Sequence, residues 1–161
     1  MRAVVLGVGN ILLSDEGIGV RAVEALQRDY RLPPEVEVID GGTCGMEMLD
    51  DLAHADHLLI VDAVKNGQPP ASLVTLKGEA VPVFFGTKLS PHQIGLADVL
   101  ATLTLTGERP GNTVLLGVEP ASLETGMALS PPVAARLPDL VGAITSELRA
   151  LGLAVTPLRS A

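Results

Sequence analysis

A chain of 161 residues with 47% hydrophobic content suits one full-sized core, because a domain of roughly 150 residues buries about two-thirds of its unfolded surface. A net charge of −8, with one Tyr, two Phe and no Trp, argues against a nucleic-acid partner, which needs clustered cations and aromatic platforms for bases; an acidic surface prefers neutral or basic partners. The single cysteine, Cys44, excludes an internal disulfide framework and any multi-cysteine zinc or iron–sulfur site, and no apolar run approaches the 18 or so residues that span a bilayer.

The N-terminus MRAVVLGVG carries one charge and a short apolar run that enters a glycine turn, so it reads as a strand rather than a signal peptide. A cytoplasmic, monomeric single domain over 1–161 is expected, with no membrane partner. Short apolar runs alternate with helical patterns, the signature of an α/β fold with a largely parallel sheet. Strands are expected near Ala3–Val8, Val36–Asp40, His57–Asp62, Ser72–Lys77 and Thr113–Val118. Helices fit between Glu16 and Arg28, Gly45 and His54, Pro91 and Leu105, and Pro131 and Leu151. In the first helix Ile18, Ala22, Ala25 and Leu26 share one face, with Arg21, Glu24 and Arg28 on the other. The link AVKNGQPPAS is too short for a crossover helix, so the fourth strand is expected to run antiparallel at an edge. The tail from Leu153 either adds a short strand or frays.

The loop GVGNILLSDEG, Gly7 to Gly17, resembles a phosphate-binding turn but departs from one. Gly7 and Gly9 fit the dinucleotide pattern G-x-G-x-x-G, whereas Leu12 stands where the third glycine should permit close helix–strand packing. Asp40 could imitate a ribose-binding carboxylate, yet Asp15 and Glu16 would repel a pyrophosphate. In the simplest account Ser14 is a helix N-cap and the two carboxylates complement the helix dipole. That role is compatible with metal ligation, since the dipole keeps a carboxylate ionised. Asn10 is suited to tie the loop by local hydrogen bonds.

Other polar residues fall at the same edge. Asp62 ends HLLIVD and Asp40 ends VEVID, both at the carboxyl ends of strands, where α/β proteins place their sites. His92 begins the helix SPHQIGLADVL and points to that edge if the helix packs on the sheet. Glu16, Asp62 and His92 could then converge from three loops, leaving coordination open for something else. As edge residues they are expected to be exposed.

Taken together, GVGNILLSDEGIGV, VIDGGTCGMEMLD, LLIVDAV, LSPHQIGLADVL and VLLGVEPASLETGMALSP resemble, from Val5 to about Ser130, the hydrogenase maturation endopeptidases. Members of that family remove the C-terminal extension from the large subunit of nickel–iron hydrogenase after nickel insertion. The resemblance implies a three-layer α/β/α sandwich with a mixed five-stranded sheet, ordered 2-1-3-5-4 with strand 4 antiparallel. It also implies that Glu16, Asp62 and His92 bind a metal ion where the enzyme meets the nickel of its substrate. The partner is then the large-subunit precursor, and the nickel is supplied by that substrate, although other divalent metals could occupy the site.

The residues themselves narrow the chemistry of cleavage. His54, His57 and His92 do not form H-E-x-x-H, and no serine lies in G-x-S-x-G. His54 and His57, around the turn HADH, read as solvated or capping groups. Cys44 has no evident thiolate-stabilising partner and reads as a small residue packed at a helix start. Metal-assisted hydrolysis remains, with Glu16, Asp62 and His92 as ligands and catalytic groups and Asp40 as a supporting or water-orienting base. Their oxygen and nitrogen donors suit zinc, nickel or iron without choosing among them. Glu119 of GVEP reads as a strand-end carboxylate that could line the same edge. Two alternatives stay open at this level: a nickel-sensing chaperone that does not cleave, and a nucleotide-binding protein.

Overall fold

The structure is a computed structural model and describes residues 1–87 and 90–158. Three strands of nearly unbroken apolar sequence form its centre: β1 (Ala3–Val8), β3 (His57–Ala63) and β5 (Asn112–Val118). All six residues of β1 are buried, as a parallel strand covered on both faces requires. β2 (Val36–Gly42) and β4 (Leu73–Lys77) are the half-exposed edges. The sheet order is β2-β1-β3-β5-β4, with only β4 antiparallel, as expected. The tail contributes a two-residue strand, Thr156–Pro157, antiparallel to Tyr30–Arg31, while residues 159–161 lie outside the described part.

The period of two along the strands divides the core between the two faces. Ala3, Val5, Leu59 and Val61 point to one side, under α1 (Ile18–Asp29) and α6 (Leu137–Ala150). Val4, Leu6, Leu58 and Ile60 point to the other, under α4 (Pro91–Thr106) and the shorter α2 (Leu49–Leu52) and α3 (Ala80–Phe85). In α1 the four expected residues are buried, with Glu24 and Arg28 exposed and Arg21 half-buried.

Several boundaries differ from expectation for local reasons. Residues Ser14–Gly17 form a 3₁₀ turn and α1 proper begins at Ile18. Ser14 is not its N-cap: at φ 53° its hydroxyl instead donates to the carbonyl of Glu124 at 2.6 Å. The helix expected between Gly45 and His54 is reduced to a 3₁₀ turn at Met46–Met48 and the four residues of α2. The last helix is split into α5 (Pro131–Ala134) and α6, because Pro138 has no N–H with which to continue a helix through that point. Helix α3, hidden in a short stretch with an internal proline, is held by the burial of Val81, Phe84 and Phe85.

The close approach that a third glycine would give a dinucleotide fold is supplied later in the chain. A Cβ on Gly19 would run into the backbone oxygen of Val61 and lie 2.6 Å from that of Val8, and one on Gly7 would lie 2.6 Å from the oxygen of Gly19. This contact seats α1 directly on β1 and β3 and fixes the loop between β1 and α1. Because the obstruction is backbone, Gly19→Ala should cost about 3 kcal/mol or more, the upper end for overpacking, measured as a lowered denaturant midpoint. A change below about 0.5 kcal/mol, the level of a neutral surface site, would show that the helix can ride away from the sheet.

Candidate metal centre at the carboxyl edge of the sheet

Three elements deliver three side chains to one point. Glu16 sits in the 3₁₀ turn after β1, Asp62 near the end of β3, and His92 in the first turn of α4. The imidazole lies between the two carboxylates, with Nδ1 2.8 Å from Glu16 Oε1 and Nε2 3.1 Å from Asp62 Oδ2. These groups are not exposed edge residues as expected: Asp62 is fully buried, and His92 and Glu16 retain only 5% and 8% of their accessible surface. The edge is closed over by α4 on one side and by the segment following β5 on the other.

Burial alone disfavours charge on His92, but Asp62 and Glu16 on either side outweigh it and raise its pKa above the ordinary value. For Asp62, burial dominates and raises the carboxyl pKa, with His92, the Gln93 amide and the Ala63 N–H opposing it. The array is a buried cluster of two carboxylates built around one shared imidazole. Among the described residues no three His, Cys, Asp or Glu side chains form a ready-made metal cage. The donor set still fits a borderline divalent ion, with two carboxylates and one imidazole. Both ring nitrogens are engaged, so an ion touching all three groups requires the ring to part from one carboxylate.

Gln93 holds this cluster. Its amide Nε2 donates to Asp62 Oδ2 at 2.8 Å and to the carbonyl of Ala63 at 3.0 Å, while its Oε1 accepts from the Ser90 N–H at 3.4 Å and the Ser90 hydroxyl at 3.2 Å. The N-terminus of α4 is thus locked to the end of β3. The Ser90 hydroxyl also stands 2.9 Å from His92 Nδ1. The signal was present in the sequence, since Ser90-Pro-His-Gln93 has the S-x-x-Q spacing of a capping box.

Asp15 holds the other side. It is fully buried and accepts hydrogen bonds from the N–H groups of Ala121 (2.9 Å), Ser122 (2.9 Å) and Ser130 (2.7 Å) and from the Ser130 hydroxyl (2.7 Å). Backbone bonds from Ser14 N to Gly126 O and from Gly126 N to Leu12 O, both 2.8 Å, extend the clasp. The segment after β5 is thereby fastened across the loop that carries Glu16, which also closes the end of α1 that a nucleotide phosphate would need. Nothing near Asp15 in the sequence announces this, since its partners lie more than 100 residues away. Asn10 ties the loop as expected, its Oδ1 accepting from Leu12 N at 2.9 Å.

The remaining sequence candidates are placed elsewhere. Asp40 is not brought to the cluster. Val36 and Val38 face the α1 side of the sheet, so Asp40 does too, whereas Asp62 alternates with Val61 toward α4. Asp40 lies beside the adjoining cleft with Gly9, Leu12 and Thr43, and its Oδ1 accepts from Gly42 N at 3.1 Å. Cys44, expected to be packed, is exposed, because the chain around it forms a turn, with Cys44 N bonded to Gly41 O, instead of a helix start. His54 is an exposed group 3.3 Å from Glu108, and His57 opens β3 near Asn112. Glu119 is buried, its Oε1 accepting from Asn66 N at 2.9 Å and Gln68 N at 2.8 Å.

Asp15 also yields a pH-dependent expectation. Burial raises its pKa, but the bonds from Ser130, Ser122 and Ala121 overcome that, and the net direction is below the ordinary 3.8. A depressed folded-state value means that the stabilisation is complete above the unfolded pKa and is lost as pH falls through the folded one. Asp15→Asn, which sets an NH₂ donor among donors, should cost about 2–4 kcal/mol at neutral pH. Denaturation of both proteins from neutral pH down to about pH 3 should show the difference shrinking below the ordinary carboxylate range. A gap that stays constant across that range would mean that the charge of Asp15 contributes nothing.

The family model described as hydrogenase maturation protease matches residues 20–147. The hydrogenase 2 maturation protease of Escherichia coli (strain K12) is 51% identical over 158 residues, covering 98% of this chain and 96% of that protein. The hydrogenase expression/formation protein HupD of Rhodobacter capsulatus is 43% identical over 157 residues, covering 96% of this chain and 75% of that one. Among solved structures, the hydrogenase maturating endopeptidase HybD from E. coli superposes with a TM-score of 0.96 at 50% identity, over 98% of both chains. A matching family model over most of the chain, a relative about half identical along nearly its whole length, and the same mixed five-stranded fold establish that this chain belongs to the hydrogenase maturation protease family, a family of peptidases.

Proposed function

We propose that this protein is an endopeptidase that removes the C-terminal extension of the large-subunit precursor of a nickel–iron hydrogenase once nickel has been inserted, and that it recognises the nickel carried by that substrate. The observation that carries the proposal is the convergence of Glu16, Asp62 and His92 at a cleft of about 500 Å³, lined by Glu16 and His92 with Asp62 buried behind them, in a chain of the maturation protease family. Its work as a cytoplasmic monomer is part of the same proposal, and among the described residues no helix is long and apolar enough to cross a membrane.

The arrangement of the three groups supports substrate-borne metal over a resident ion. Catalytic sites that keep a metal usually preorganise three protein ligands around it. Here both His92 nitrogens contact the neighbouring carboxylates, and among the described residues the three groups are not arranged as a preformed cage. Nickel already held by the precursor would complete its coordination on these groups, and the contact would bring the neighbouring scissile bond into the cleft. Hydrolysis adds water oxygen to the scissile carbonyl carbon and a proton to the departing amine nitrogen. A carboxylate that does not ligate the nickel is needed to take the proton of the attacking water. Asp40 lines the adjoining cleft, beyond the Gly9–Leu12 loop.

Enzyme treated with a chelator and desalted should therefore still cut nickel-loaded precursor, while nickel-free precursor should resist even untreated enzyme; mass spectrometry of the large subunit before and after incubation reads both. Loss of cleavage on chelation, restored by adding zinc, would instead show a resident metal. Intact nickel-loaded precursor that is bound but never shortened would point to a chaperone without peptidase activity.

A further inference from the structure

In this acidic chain the basic side chains are almost all engaged. Among the described residues, Arg2, Arg21, Arg28, Lys77, Arg109 and Arg136 pair with carboxylates, and Arg149 donates to the carbonyl of Val155. Arg31 and Lys65 make no such contact, and of these two Lys65, which is exposed, lines the same cleft as Glu16 and His92. No other Lys or Arg among the described residues lines that cleft.

The position of Lys65 is built. Val64, fully buried, is bonded through its N–H to Val118 O at 3.0 Å, which fixes the chain on one side of Lys65. On the other side the buried carboxylate of Glu119 gathers the N–H groups of Asn66 and Gln68, and Ala71 N binds Glu119 O at 2.8 Å. A carboxylate at 4% exposure is thus spent on holding a short loop whose exposed cation borders the site. Glu16, the one carboxylate lining the cleft among the described residues, is engaged by His92, which leaves the Lys65 ammonium available to a counter-charge on what enters. A lysine presents a compact charge with three rotatable donors on a flexible stem, suited to a carboxylate whose exact position varies.

We infer that Lys65 is a specificity-determining residue whose ammonium binds a carboxylate on the substrate chain beside the scissile bond. The inference rests on the endopeptidase reading above. The carboxylate can be an Asp or Glu side chain of the extension or the terminal carboxylate of the precursor, and both give the same ion pair.

The test compares kcat and KM of wild-type, Lys65→Met and Lys65→Arg enzymes on nickel-loaded precursor. It adds precursors in which each acidic residue of the extension is replaced singly by its amide, and one lengthened by neutral residues to carry the terminal carboxylate away. Lys65→Met should raise KM about tenfold, the effect of a charge pair partly shielded from water, with kcat within about twofold. Lys65→Arg should stay near wild-type. One altered precursor should suffer the same loss with wild-type enzyme and no further loss with Lys65→Met, an amide version naming a side chain and the lengthened version naming the chain end. Equal efficiency of Lys65→Met and wild-type, or a loss that is the same on every precursor, would overturn the inference alone. Wild-type enzyme that cuts no nickel-loaded precursor would overturn the endopeptidase reading and this inference with it.

Discussion

A single imidazole organises the candidate site. His92 is buried between Glu16 and Asp62, and its imidazole opposes the burial that raises the Asp62 carboxyl pKa. Breaking such a buried pair by removing one partner typically costs about 3–5 kcal/mol, because an uncompensated charge is left behind. The three chain segments that bring these groups together are therefore held to one another by electrostatics at the site, as well as by the core beneath it. A site of this kind has its polar groups partnered, yet its two carboxylates offer oxygen donors to a cation that displaces one contact.

Two polar staples keep that cluster in register, one from each side. Gln93 joins α4 to the end of β3, and Asp15 joins the Glu16 loop to the segment after β5. Both are buried groups whose hydrogen bonds are made in full, and among the described residues no buried side-chain polar atom lacks a partner. Such networks are stabilising only when complete, since a half-satisfied one is worse than an apolar core. Beneath them, Gly19 on β1 and β3 sets the distance from sheet to helix that lets the loop reach its place. The same division of labour holds at the cleft wall, where Glu119 fixes the loop bearing Lys65.

Much of this was legible in the sequence because it is periodic or local. The apolar runs of the three central strands, the short link that forces β4 antiparallel, and the strand-end position of Asp62 follow from spacing alone. So does the turn held by Asn10. What escaped was set by distant partners. Asp15 and Ser14 look like helix-capping residues beside α1, but their bonds run to a segment beyond residue 120. Burial of Glu16, Asp62 and His92 depends on segments that close over the edge from elsewhere, which spacing cannot show. Asp40 and Asp62 both end strands, and only the alternation of side chains relative to the observed register separates them onto opposite faces. The short α3 has too few residues for a periodic signal, and its buried phenylalanines are 5.2 Å apart in an edge-to-face contact that appears only on packing.

On the proposed reading, the nickel of the precursor meets this buried cluster. Nickel-edge X-ray absorption on loaded precursor, recorded alone and with excess metal-stripped enzyme before cleavage, tests it directly. Oxygen or nitrogen donors should be added to the nickel shell when wild-type enzyme is present, and the added donors should be absent with His92→Ala enzyme that still binds the precursor. A nickel shell that is unchanged by bound wild-type enzyme would contradict it.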